Sequence, residues 1–373
     1  MKILYISNSI IPSRTANSVH VMKICQAFSK NGHDVILLAP DKKSKVEDVK
    51  NIHDYYGVKP NFEIRKLKYY ENFKGSAYIY GLKVAREVKK EKPDIVYGRF
   101  FLGIYFSAML GTKVNLELHY PFPSTKKRFD VMFRSLIKRK SFNKLIVISE
   151  ELRHYFREQY NLNPDQILTA HDGADLAKKD EPVQLKGNST LNIGYVGQLY
   201  RGKGMEIISE LAKKYPQGTF HIIGGLEEDI SKWKRLTEKL SNIKYYGFVP
   251  HAETGKYIQA CDVMIAPYLE VVHSYGNNNI NLSKWMSPLK IFEYMSYGKA
   301  ILTSDLPVLR EILTDRVNAF LCTPSDINSW LNALKTLEDK HVTKTVGFNA
   351  RKTFEMNYTW EIRAKKIINF IID

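Results

Sequence analysis

Short apolar runs alternate along the chain with stretches whose apolar positions recur at helical spacing. Residues 3–7 predict a strand. In residues 18–31, Val19, Met22, Ile24 and Phe28 follow a helical period that Gly32 ends. Residues 34–39 predict a second strand, closed by Pro40. Residues 78–90 read as a helix, and 93–97, 113–118 and 144–149 as further strands. Residues 180–190 break the pattern with polar positions, Pro182, Gly187 and Asn188. It restarts at 191–197 and continues with strands at 219–223, 243–246, 263–266 and 300–303. Apolar strands alternating with helices predict parallel sheets covered on both faces, hence an α/β chain of two Rossmann-like domains joined near 170–190. Ligands of such sheets sit beyond the carboxyl ends of the strands, and with two domains the expected site is the cleft between them.

Composition changes this picture little. With 373 residues, 44% hydrophobic and 25% charged, the chain is long enough for two full cores. No apolar run is long enough to span a bilayer, and the N-terminus lacks the apolar core of a signal peptide. Cys25, Cys261 and Cys322 are few and widely spaced, which predicts neither a disulfide framework nor a zinc site and points to the cytoplasm.

Charge adds more. The formal net charge is +17, and residues 1–170 carry 30 basic against 16 acidic side chains, so the first half holds most of the excess. Either this half faces something anionic or the chain tolerates lysine. In residues 126–140, Phe129, Met132, Phe133, Leu136 and Ile137 share a helical face, while Lys126, Lys127, Arg128, Arg134, Lys138, Arg139 and Lys140 cover much of the rest. The apolar stripe is expected to pack on the chain's own sheet. The basic face then remains available to an anionic membrane, as does the stretch from Arg65 to Tyr70. No nucleic-acid-binding module accompanies the charge, so no nucleic-acid partner is expected.

The most informative stretch is 287–304, a polar loop, an amphipathic helix and a short buried strand. Ser287 fits the N-cap and Pro288 the first turn. The unpaired N–H groups of a helix N-terminus suit a diphosphate, and Glu293 further along can hold the hydroxyls of a ribose. An ordinary capped helix reads the same way. Gly197-Gln198-Leu199-Tyr200-Arg201-Gly202-Lys203-Gly204 follows a strand and opens a helix, so Lys203 can offer a fixed charge to a phosphate or simply stand in solvent. Strands also end in Ile223-Gly224-Gly225, in Gly247-Phe248-Val249 and in Ala266-Pro267-Tyr268.

Taken together and in this order, these motifs resemble those of the family 4 glycosyltransferases, as do Leu116-Glu117-Leu118-His119, Val147-Ile148-Ser149-Glu150, His171-Asp172-Gly173-Ala174-Asp175 and Tyr358-Thr359-Trp360. The resemblance spans nearly the whole chain. It implies the GT-B fold, two Rossmann-like domains facing each other across a cleft. Residues 1–170 would form the acceptor domain and 171–357 the nucleotide-sugar domain, with 358–373 a helix crossing back to the first.

The resemblance also implies the site. Lys203 contacts the donor diphosphate, and Gln198 occupies a position where many members have an arginine. Glu293 binds the ribose, and His119 lies against the donor sugar. Amides around Ser287, Leu289 and Lys290 hold the distal phosphate or sugar, Gly224 lies beside the donor, and Phe248 and Val249 reach the base through their backbone. Three departures stand out. Trp285 replaces the first of two glutamates eight positions apart. Gln198 lacks the arginine's charge. The usual Gly-Gly loop after the first strand is replaced by a segment ending in Asn17 and Ser18, which still cap a helix and can offer amides to the donor. The implied activity is metal-independent transfer, with retention, of a sugar from a nucleoside-diphosphate sugar to a glycan or lipid-linked acceptor in surface polysaccharide assembly. No cofactor is expected. The implied location is the cytoplasm, with peripheral attachment to the inner membrane face. Another enzyme of the same fold, such as an epimerase or phosphorylase, or an inactive donor-binding subunit, remains an alternative.

Overall fold

The computed structural model describes residues 1–44, 46, 49–187, 189–273 and 281–373. Its contacts divide the chain into two units, Met1–His171 with Trp360–Asp373, and Asp172–Thr359. The asparagine-rich positions 274–280 lie outside the described residues.

The first unit holds a parallel sheet of β1 (Lys2–Ile6), β2 (Asp34–Asp41), β3 (Glu63–Lys68), β4 (Ile95–Gly98), β5 (Val114–Leu118), β6 (Phe142–Val147) and β7 (Ile167–Thr169). The order is β3-β2-β1-β4-β5-β6-β7. The order reverses between β1 and β4, so loops after these strands diverge and leave a crevice at their carboxyl ends. Ile3, Leu4, Tyr5 and Ile6 are all buried, as a strand covered on both faces requires. β2 runs through Pro40 to Asp41, beyond the expected stop. Its pairing with β1 ends at Leu38, and from Ala39 onward it borders only β3, so a proline without an N–H is tolerated there.

The second unit holds β8 (Leu191–Val196), β9 (Gly218–Ile223), β10 (Ile243–Gly247), β11 (Val263–Ala266), β12 (Ala300–Ser304) and β13 (Phe320–Cys322). All pairings are parallel and the order is β10-β9-β8-β11-β12-β13. Period-two alternation sorts its core onto two faces. Ile193, Tyr195, Val263 and Ile265 pack on one side, and Val196, Met264, Ala266 and Ile301 on the other.

The basic helix is Lys127–Ile137. Phe133 and Leu136 are fully buried, whereas Lys126, Lys127, Arg128, Arg134, Lys138 and Lys140 are exposed. The stretch from Arg65 to Lys68 belongs to edge strand β3; Arg65 is bound to Glu63, Glu87 and Glu91, while Lys66 and Lys68 are exposed. Among the described residues no helix is long and apolar enough to cross a membrane. The three cysteines are buried and free.

Candidate functional site

In the second unit the strand order reverses between β8 and β11, and the loops leaving these two strands carry the expected chemistry. β8 is pinned at its end by two bonds. The Val196 N–H donates to the Tyr294 hydroxyl at 2.9 Å, and the Gly197 N–H to the Ile223 carbonyl at 2.9 Å. The loop then turns through Gly202 and Gly204, both in the left-handed region. A Cβ on Gly204 would stand 1.7 Å from the Pro267 carbonyl oxygen, so only glycine lets this loop lie against the one after β11. This contact places Lys203 beside Tyr268.

The Lys203 ammonium lies 5.2 Å from the Tyr200 ring centre and 5.3 Å from that of Tyr268. Burial lowers its pKa to about 8. A second lysine converges on the same ring. The Lys290 ammonium sits 3.8 Å over the Tyr195 ring and 5.6 Å from Tyr268, with no hydrogen-bond partner among the described residues. Burial, then the neighbouring Lys203 charge, holds its pKa well below that of an ordinary lysine. Beside it, Gln198 has a buried side-chain oxygen that also lacks a partner among the described residues. Two cations against aromatic faces, with no carboxylate bridging them among the described residues, form a place that an anion would complete.

Lys290 belongs to the helix Leu289–Ser296, which has no side-chain cap. The expected Ser287 cap is absent. Pro288 is the N-cap, and the Ser287 hydroxyl instead accepts from the Asp172 N–H at 2.8 Å. The leading N–H groups at Leu289 and Lys290 are therefore not met by a cap, which leaves the positive end of the helix bare. One turn on, the Glu293 carboxylate meets His251 Nε2 at 2.7 Å. His251 escaped sequence reasoning because 42 residues separate it from Glu293. Trp285 lies in the turn before this helix, its N–H on the Leu282 carbonyl.

Gly224 donates to the Gly247 carbonyl at 2.8 Å, and a Cβ on it would meet the Gly197 carbonyl oxygen at 2.5 Å, so it holds the ends of β8, β9 and β10 together. Phe248 is partly exposed just beyond, and Val249 packs on the core.

In the first unit His119 follows β5 and lies 2.6 Å from the buried Glu117 carboxylate. The same carboxylate oxygen lies 2.8 Å from Arg363 and 3.0 Å from His20, and Tyr97 donates to the other oxygen. Burial alone would raise the Glu117 pKa, but Arg363 and the histidines outweigh it and hold the group ionised. An acidic residue between two leucines of a short interior strand is the signal that could have revealed this network. The helix expected to be capped by Asn17 and Ser18 is Ala16–Lys30, capped by Thr15. The Ser18 hydroxyl is occupied locally, with Ser13 and Thr15. The Asn17 side-chain oxygen is buried without a partner among the described residues.

This pair of doubly wound parallel-sheet units, with its cationic loop at a switch point, defines the GT-B class of glycosyltransferase folds. The family described as Glycosyltransferase Family 4 matches residues 18–178, and that described as Glycosyl transferases group 1 matches residues 190–340. The chain belongs to the family 4 glycosyltransferases. An uncharacterised glycosyltransferase of Methanocaldococcus jannaschii is 24% identical over 64% of this chain, and the match spans only 60% of that relative's length. A UDP-Gal:alpha-D-GlcNAc-diphosphoundecaprenol alpha-1,3-galactosyltransferase of Escherichia coli is 24% identical over 77% of each chain. Among solved structures, Anabaena HepE in complex with UDP and glucose superposes over 100% of both chains with a TM-score of 0.74, at 17% identity.

Proposed function

We propose that this protein transfers a sugar, with retention at the anomeric carbon, from a nucleoside-diphosphate sugar to a hydroxyl of a glycan or lipid-linked acceptor. The observation that carries this is the convergence on one switch point of the buried Lys203 and Lys290 ammonium groups with an uncapped helix N-terminus. A diphosphate fits that charge, and Glu293 on the same helix is the acceptor group for its ribose. The UDP-bound neighbour and the UDP-galactose-dependent relative favour uridine as the base, and that relative's diphosphoundecaprenol substrate favours a lipid-linked acceptor.

In this reading the chemistry lies in the leaving group. As the glycosidic bond breaks, charge grows on the diphosphate, and the preorganised cations and N–H groups stabilise it more than they stabilise the bound donor. These cations fill the role that a metal fills elsewhere, so transfer is metal-independent. The acceptor hydroxyl attacks from the face the diphosphate leaves, and a leaving phosphate oxygen takes its proton. His119, oriented by Glu117, serves the donor sugar in line with the family resemblance. The basic helix Lys127–Ile137 supports peripheral attachment to an anionic cytoplasmic membrane face and a place in surface polysaccharide assembly.

Lys203→Ala and Glu293→Ala are each expected to abolish release of nucleoside diphosphate in the presence of acceptor while leaving thermal unfolding nearly unchanged. Near-normal turnover in both variants would refute the reading. Sugar epimerisation without acceptor, by the intact protein, would instead favour an epimerase.

A further inference from the structure

The two lysines are not equivalent. Lys203 comes from the loop after β8, and Lys290 from the first turn of the helix Leu289–Ser296. Gly197 makes the seat for Lys290, since a Cβ there would stand 2.7 Å from its ammonium nitrogen. Among the described residues, Tyr195, Tyr268, Lys203 and Glu293 are the groups that act on that nitrogen. Tyr195 from β8 presents a ring face, and its hydroxyl donates to the Gln198 carbonyl at 2.5 Å. Tyr268 from the loop after β11 presents another ring face. Lys203 opposes with like charge, and Glu293 on the same helix attracts but lies against His251. A buried amine with no hydrogen-bond acceptor, next to a second cation, favours the neutral form. A diphosphate placed between the two lysines reverses that balance.

We propose that the Lys290 side chain is the second cationic arm for the donor diphosphate, replacing the charge Gln198 does not supply, and that it takes up a proton from solvent as the donor binds. This rests on the nucleoside-diphosphate-sugar reading. The empty site thereby avoids holding two charges side by side, and the second charge appears only when its anion is present. The proton comes from buffer and no bond other than N–H forms. The diphosphate diester of a nucleotide sugar does not itself titrate near neutrality.

The test is isothermal titration calorimetry of the whole protein with UDP-galactose, UDP-glucose and UDP-N-acetylglucosamine in two buffers of different ionisation enthalpy. At about pH 7, Lys203 is already mostly charged, so its own uptake is small. The expected result is net proton uptake on donor binding in the wild type and almost none in Lys290→Met, with affinity reduced at least tenfold. Donor binding without uptake overturns the proposal, and so does uptake that persists in Lys290→Met. If Lys290→Met does not fold, the wild type alone decides. Its association constant is expected to fall as pH rises through neutrality, and a flat profile overturns the proposal. Failure of all three nucleotide sugars to bind well-folded wild type strikes the donor reading itself, and the proposal falls with it.

Discussion

Glu117 is enclosed by Tyr97, His20, His119 and Arg363, and it exists as a carboxylate because the guanidinium of Arg363 faces it. Removing one partner of such a buried pair leaves the other charged and unsolvated. Glu117→Gln is therefore expected to destabilise the protein by about 3–5 kcal/mol in urea denaturation. Pairing it with Arg363→Met should recover part of the loss, and failure to recover any would show that Arg363 is held by its other partners, the Ala170 and His171 carbonyls, alone. The pH dependence follows from the depressed pKa. The stabilisation is complete above the unfolded glutamate value of about 4.3 and is lost as pH falls from there towards the folded value. Acid unfolding followed by tryptophan fluorescence should accordingly shift to higher pH in Glu117→Gln.

At the scale of elements, Gly204 joins the strand β8 to the helix Met205–Lys214 while lying against the Pro267 carbonyl. Gly204→Ala adds both a left-handed strain of about 1–2 kcal/mol and a backbone clash. A loss of at least 2 kcal/mol is expected by thermal denaturation, with donor affinity falling as well. Unchanged stability would mean that the two loops separate freely. The same scale shows what could be read from the chain. The interior strands announce themselves because burial on both faces demands unbroken apolar runs such as Ile3-Leu4-Tyr5-Ile6. β3, β7 and β13 did not, since none of them offers such a run. Glu63–Lys68 alternates charged and apolar residues, and the other two are only three residues long. Edge strands carry charge against stray pairing, and β3 therefore resembled a basic surface patch. Lys203, Glu293 and the helix carrying Glu293 were visible from local motifs. The Lys290 ammonium, His251 and Arg363 were not, because their partners lie far away in sequence and only the topology brings them together. Ser287 was misplaced as a cap because its hydroxyl has a long-range partner, Asp172, that spacing cannot reveal.

Across the whole molecule, most of the excess of positive charge falls in the first half, where the basic face of Lys127–Ile137 is exposed. Each basic residue near an anionic surface contributes about 1 kcal/mol at moderate salt, so a few suffice for reversible attachment. Sedimentation with vesicles containing phosphatidylglycerol is expected to retain the protein at low salt and release it at high salt. Replacing Lys127, Arg128 and Lys138 by glutamine should weaken binding without altering thermal stability. Equal retention on neutral vesicles would exclude attachment by charge. The chain also leaves the first unit after His171 and rejoins it at Trp360, and Ala174 bridges Thr359 where the two passages meet. The second unit is thus an insertion with neighbouring ends, and its core residues all come from within it. Such a segment is excisable. Residues 172–359 expressed alone should unfold cooperatively, and a short linker from His171 to Trp360 should close the remainder into an independent body, so uptake of the nucleotide can be weighed on the excised segment by itself.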